Sequence, residues 1–89
     1  MNIVWTKYLI YRAELRGFEL PQLEQILRYT EERYFDTVTL GMVAVGKHLD
    51  YLVMIPYDIA DDQTVTPVTV HATSRQQVAY QLKSGRFNT

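Results

Sequence analysis

His71 and Arg75 stand four residues apart in the stretch TVHATSRQQVAY (69–80), where a strand-like pattern gives way to a helix-like one. An imidazole exchanges a proton near neutral pH, and a guanidinium holds a phosphate or carboxylate through parallel hydrogen bonds. With the first free N–H groups of the helix, the two side chains would form a small anion site. The alternative is structural: His71 is a surface strand residue, and Arg75 pairs with an acid such as Asp36 or Asp58. The spacing alone favours this alternative, because charged clusters are often structural.

The charge distribution supports an anion-facing surface only in the last third of the chain. The net charge of the 89 residues is −1, so we do not expect a general polyanion binder. From Gln63 to Thr89 there is no acidic residue. The same segment holds His71, Arg75, Lys83 and Arg86.

Composition indicates one ordinary globular domain over residues 1–89. The chain has no cysteine and only two histidines, and no phosphate-binding or dinucleotide loop, so we expect no metal and no cofactor. No apolar run approaches the roughly 18 residues that cross a bilayer. The N-terminal apolar stretch soon acquires Arg12 and Glu14, which argues against a signal peptide. We therefore expect a cytoplasmic protein with no membrane partner.

The first part of the chain has helical periodicity. The segment NIVW (2–5) predicts a short strand, and the spacing of Tyr8, Tyr11 and Leu15 predicts a helix from about Lys7 to Arg16 that stops at Gly17. Residues from Pro21 to about 32 form a second amphipathic pattern. The tight glycine-containing link predicts a helical hairpin.

The pattern then changes to period two. The segments MVAVGKH (42–48), DYLVMIPYD (50–58) and TVTPVTVHA (64–72) predict three strands, and their short connections predict an antiparallel meander. Pro67 predicts a bulge or an interruption in the last strand. Thr73 and Gln76 match a capping box, so a final helix should begin there and end near Gly85. The predicted fold class is α+β.

Alternation along the last strand assigns Val68, Val70 and Ala72 to one face and Thr69 and His71 to the other. If the apolar set faces the core, His71 points outward. The many tyrosines and the small core indicate that the chain pairs with a second copy, so we expect a homodimer. The expected core residues are Leu23, Ile26, Leu27, Leu52, Val53, Ile55, Val68, Val70, Val78 and Leu82.

Three segments resemble motifs of the BrnT-like toxins and related small bacterial proteins. LRGFELPQLEQIL (15–27) is similar to their entry into a helix, and MVAVGKHLDYLVMIPYD (42–58) is similar to their strand hairpin. HATSRQQVAY (71–80) resembles their closing segment through Ala72, Thr73, Arg75 and Tyr80. The order of these loose motifs agrees with the element order above, over about residues 8–82.

The resemblance implies a RelE/ParE-like fold and a type II toxin, a ribonuclease that an antitoxin covers. By motif position Arg75 is a site residue, with Lys47 on the hairpin as a further candidate. His71 and Arg75 would be catalytic, and Lys47, Lys83 and Arg86 would bind RNA phosphates, with His71 as the acid or base. Gln76 and Gln77 stand where such toxins carry more Arg and Lys, which favours the alternative. In it, the chain is a non-catalytic interaction or dimerisation module of the same fold.

Overall fold

A computed structural model describes all 89 residues and has an α+β architecture, as the sequence predicts. The elements follow the chain as β1 (Asn2–Ile3), α1 (Lys7–Leu15), α2 (Leu20–Tyr29), β2 (Arg33–Asp36), β3 (Met42–His48), β4 (Tyr51–Ile59), β5 (Thr64–Pro67), β6 (His71–Ala72), α3 (Arg75–Lys83) and β7 (Phe87–Asn88). None of the three helices is long and apolar enough to cross a membrane.

The strands form one mixed seven-stranded sheet in the order β1-β5-β4-β3-β2-β7, with β6 paired to β4. The predicted antiparallel meander is present as β3, β4 and β5, and β1 joins β5 in parallel. The sheet has more strands than the three that were predicted for the meander, because β2 pairs with β3 and β7 pairs with β2. Strand β7 has two residues, and its ladder is with β2, about fifty residues earlier, so no local pattern announces it.

Pro67 interrupts the last strand, as predicted. Strand β5 pairs with β4 through Pro67, opposite Tyr57, and β6 resumes the pairing opposite Val53 and Met54. Between the two pieces, the N–H of Val68 still donates to the carbonyl of Pro56 at 2.8 Å. Two short strands, β5 and β6, therefore pair with the same edge of β4, and the chain leaves that edge between them.

Helix α2 ends at Tyr29, three residues before the predicted end at Glu32. Thr30 takes extended backbone angles, and its hydroxyl donates to the carbonyl of Val45 at 2.7 Å. The guanidinium of Arg33 donates to the carbonyls of Leu27 and Thr30 and so closes the helix end. The helix therefore ends where Thr30 bonds to β3 and where Arg33 of β2 bonds to the last carbonyls. The helical periodicity of the sequence cannot predict these contacts.

The sheet separates two hydrophobic clusters of unequal size. On β4, Val53, Ile55 and Tyr57 belong to a cluster of twelve buried residues with α1 and α2. Leu52 and Met54, which alternate with them, pack against a cluster of five that includes Val78 of α3. Two sides of the same strand thus serve two cores of different size.

Most of the predicted core residues are buried. Seven of them lie below one tenth exposure: Leu23, Ile26, Leu27, Val53, Ile55, Val70 and Val78. Leu52 is half-buried. The prediction was wrong for Val68 and Leu82, which are 45% and 37% exposed. Val68 lies in the detour after Pro67, and Leu82 lies in the last turn of α3, where the helix approaches its end.

Candidate binding cleft between the last helix and the sheet

Helix α3 connects β6 at one edge of β4 to β7 beside β2, so it covers only part of the sheet face that it packs on. The uncovered part is a cleft of about 900 Å³, which we call the α3 cleft. Its apolar lining consists of Val43, Met54, Pro56, Val68, Ala72, Val78 and Phe87. Its polar lining consists of Asp36, Thr39, Thr69, His71, Thr73, Gln76, Gln77, Tyr80, Gln81 and Arg86.

His71 lies at the edge of the α3 cleft and is half-buried, so the expectation that it points into solvent was wrong. It pairs with Met54 across the ladder, and directly paired residues project to the same side of a sheet. Because α3 also packs on that side, His71 is not free in solvent. Burial lowers the pKa of His71 below its ordinary value, and the positive charges of Arg16 and Arg12 lower it further. Since this pKa lies below 6.5, most of the imidazole is neutral at pH 7.

Arg75 extends away from the α3 cleft and forms an ion pair with Glu32. Its Nη1 donates to both carboxylate oxygens, at 2.8 Å and 2.7 Å. The hydroxyl of Tyr34 donates to the same carboxylate at 2.7 Å. The structural alternative for Arg75 is thus observed, although the acid is Glu32 rather than Asp36 or Asp58. The hydrogen bond to Glu32 raises the pKa of Arg75.

The helix after this joint begins one residue later than predicted. Ser74, rather than Thr73, is the N-cap, and its hydroxyl accepts a hydrogen bond from the N–H of Gln77 at 3.1 Å. The Thr73 hydroxyl instead donates to the side-chain oxygen of Gln77 at 3.1 Å. Both hydroxyls form hydrogen bonds with Gln77 in the first turn of the helix. Either residue therefore fits the sequence pattern of a helix N-cap.

Arg86 lines the α3 cleft, but Asp36 already holds its charge. Nε and Nη2 of Arg86 each lie 3.1 Å from a carboxylate oxygen of Asp36, which is only 4% exposed. Burial alone would raise the pKa of Asp36. The hydrogen bonds from Arg86 and from the N–H groups of Val38 and Thr39 outweigh it, so the pKa is lowered.

Lys47 and Lys83 are exposed and lie outside the α3 cleft. Lys47 pairs with Leu52 near the β3–β4 turn, and Lys83 is the last residue of α3. Of the five residues predicted for the site, the structure therefore brings only His71 and Arg86 to one cleft. Arg75, Lys47 and Lys83 do not join them.

Exposed apolar residues line the α3 cleft or stand next to a residue that lines it, and their exposure was not predicted from the sequence. Val68 and Tyr80 line it directly, and Val38 and Leu40 flank Thr39 in the β2–β3 connection; all four are exposed. Leu40 also has a φ of 65°, a left-handed backbone that a leucine rarely adopts. The sequence could have indicated such a surface, because the short connection TVTLG (37–41) contains two large aliphatic residues.

No family model, no curated protein and no solved structure matches this chain.

Proposed function

We propose that this chain is a toxin-like domain of the type II toxin–antitoxin kind that acts as a non-catalytic interaction module. In this proposal the α3 cleft holds a segment of a partner protein, in the position of an antitoxin. The class of protein comes from the resemblance of the three sequence segments. The choice of interaction over catalysis comes from the cleft.

The charge of the α3 cleft carries the proposal. Its only charged side chains are Asp36 and Arg86, which neutralise each other, and His71 is neutral at pH 7. An RNA backbone is held mainly by cations that neutralise phosphates, and this cleft offers no free one. An apolar floor with neutral hydrogen-bonding side chains instead suits a segment of protein.

The apolar rim supports the same assignment. Large apolar side chains that are left exposed together around a cleft mark interaction surfaces, because water contact with them is unfavourable. The left-handed backbone at Leu40 adds a local cost that functional positions tolerate. A partner that covers Val68 and Tyr80 would remove both from water.

The direct test measures binding to the protein encoded by the neighbouring reading frame, by titration calorimetry. Tyr80→Ala should weaken that binding about tenfold or more, since buried tyrosines at interfaces contribute strongly. Tyr11→Ala is the matched control, because Tyr11 is a similarly exposed helical tyrosine on α1, outside the cleft. Equal affinities of the two variants, or no binding by the wild type, would contradict the proposal.

One observation favours a second candidate, an endoribonuclease. His71 is a neutral imidazole at the edge of a cleft, and such a group can take a proton from an RNA 2′-hydroxyl near pH 7. The test is cleavage of a purified RNA by the wild type and by His71→Gln, with Lys47→Gln as a control outside the cleft. Cleavage that only His71→Gln abolishes would establish the enzyme, and absence of cleavage by the wild type would exclude it for that RNA.

A further inference from the structure

A second, smaller cleft lies at the end of the sheet where α1 meets α2. Its walls come from the link between these helices, from the β3–β4 turn and from β6, and its volume is about 540 Å³. We call it the hairpin cleft. It is lined by Arg16, Gly17, Phe18, His48, Leu49, Tyr51, His71 and Ala72.

His48, which lines this cleft, has an unsatisfied hydrogen-bond donor. Its ring is 2% exposed, packs edge-on against Phe18 with centroids 5.2 Å apart, and accepts a hydrogen bond at Nε2 from the N–H of Glu19 at 3.0 Å. Because Nε2 accepts, the proton of the neutral ring is on Nδ1. Nδ1 is buried and has no hydrogen-bond partner. Buried donors almost always have a partner, so this one lacks an acceptor.

Arg16 is the one charged side chain among the residues that line the hairpin cleft. No acidic residue lines it, and Arg16 forms no ion pair, since its Nη1 donates to the carbonyl of Val70 at 3.1 Å. Arg12, one helical turn earlier, also has no carboxylate partner, and its Nε is the only other buried side-chain donor without a partner. An anion placed between Arg16 and His48 would meet a guanidinium and an N–H donor together.

The outer wall of the hairpin cleft is apolar. Leu49 and Tyr51 are largely exposed at the turn, and Phe18 closes the inner side. Leu49 has a φ of 55°, so a leucine is held in a left-handed conformation that glycine or asparagine would adopt more easily. An inorganic anion would form no apolar contacts with these side chains, whereas the apolar part of an aromatic carboxylic acid would pack against them.

We propose that the hairpin cleft binds a carboxylate with an apolar body, its oxygens on Arg16 and on the Nδ1–H of His48. Rotation of the exposed Leu49 and Tyr51 side chains gives the ligand access to the buried ring nitrogen. The carboxylate belongs either to a small aromatic acid or to the C-terminus of a peptide. The two clefts share His71 and Ala72 at their common edge, but Arg16 and His48 line only the hairpin cleft, so the carboxylate site does not depend on the proposed interaction function.

The probes are benzoate for a free acid and N-acetylphenylalanine for a peptide terminus, each compared with its neutral amide. Binding is followed by titration calorimetry and by the NMR resonance of the His48 ring nitrogens in the full chain. We expect one or both acids to bind and to shift the Nδ1 resonance, and the amides to bind at least tenfold more weakly. The acid that binds more tightly identifies the source of the carboxylate.

Arg16→Gln is the decisive variant, because Arg16 is exposed and its loss leaves the core intact. It should weaken binding of the acid about tenfold, while Lys83→Gln, the removal of a remote exposed cation, should leave binding unchanged. Equal binding of acid and amide would show an apolar pocket only. Equal binding of inorganic phosphate would show a general anion surface. Either result, or no binding at millimolar acid, would overturn the proposal.

Discussion

The two faces of the sheet differ in how completely they are covered. Two helices pack on one face and bury a cluster of twelve residues, while α3 alone packs on the other and buries five. The fuller face holds the largest buried aliphatic side chains, among them Leu9, Leu23 and Leu27. The partly covered face retains a cleft that exposed apolar residues, Val68 and Tyr80, help to line. We therefore expect the fuller face to contribute more to stability, and the proposed partner-binding cleft lies on the other face.

The largest expected effect tests this division of stability. Ile55 is fully buried on the face of α1 and α2, and Ile55→Ala should lower the free energy of unfolding by about 2–5 kcal/mol. Val78→Ala on the other face removes fewer carbons from a smaller cluster and should cost about 1–2 kcal/mol. Urea unfolding measures both values. An equal or larger loss for Val78→Ala would show that α3 supports the fold as strongly as α1 and α2.

The ion pair at the end of the α3 cleft should give the next largest effect. Arg86→Ala leaves the buried carboxylate of Asp36 with only its backbone partners, Val38 and Thr39, at a cost of about 1–3 kcal/mol. Arg28→Ala is the control, because its pair with Glu24 is a partly exposed contact within one helix worth about 0.2–0.5 kcal/mol. Similar losses in both variants would show that burial of Asp36 is unimportant.

The same pair sets a pH dependence with a definite sign. The pKa of Asp36 is lower in the folded chain than its ordinary value of 3.8, so the folded state favours the carboxylate. Its contribution to stability is complete above the ordinary value and is lost as the pH falls through the folded pKa. The difference in unfolding free energy between wild type and Arg86→Ala should therefore shrink below about pH 4. A constant difference would contradict the assignment.

The sequence predicted the elements that local patterns specify and missed those that depend on distant contacts. Gly17 and Gly85 end helices at positive φ, as expected of glycines after a periodic stretch. Strands β2 and β7 were missed because each is short and is stabilised by the other or by β3. Among the predicted site residues, Arg75 and Arg86 are paired with Glu32 and Asp36, and such partners across forty residues or more leave no local signal.

The turn at the hairpin cleft provides a prediction of opposite sign. Leu49 and Asp50 connect the paired residues His48 and Tyr51, and the first position of such a turn favours glycine. Leu49→Gly should raise the free energy of unfolding by about 1 kcal/mol, because it relieves the left-handed strain and sacrifices little burial. Leu49→Ala keeps the strain and should not stabilise the chain. Destabilisation by glycine would show that the exposed leucine makes contacts that outweigh the strain.

A smaller effect should appear near neutral pH at the edge of the α3 cleft. The pKa of His71 is lower in the folded chain than its ordinary value of 6.5, so the unfolded chain takes up the proton first as the pH falls. Stability should therefore decline below about pH 6.5, and His71 contributes no such change above it. His71→Gln should flatten this part of the profile. Because His71 is partly exposed, solvent screening keeps the difference small. Identical profiles would show that burial does not depress its pKa.

Arg75→Ala should have the smallest effect, and it separates the ion pair from an anion site at the joint between β6 and α3. The guanidinium of Arg75 is exposed, and exposed ion pairs contribute little because water screens them and two flexible side chains must be ordered. We expect a slight loss of stability that decreases further at high salt. Partner binding should be unchanged, because Arg75 points to Glu32 outside the α3 cleft. Urea unfolding at two salt concentrations and calorimetric titration measure these quantities, with Tyr80→Ala as the variant that does weaken binding.

The opposite outcome is that Arg75→Ala weakens binding of RNA or of the partner, and that added salt weakens binding by the wild type. The joint between β6 and α3 would then be an anion-binding site. The division between a stabilising face and a binding face would then have to include this joint.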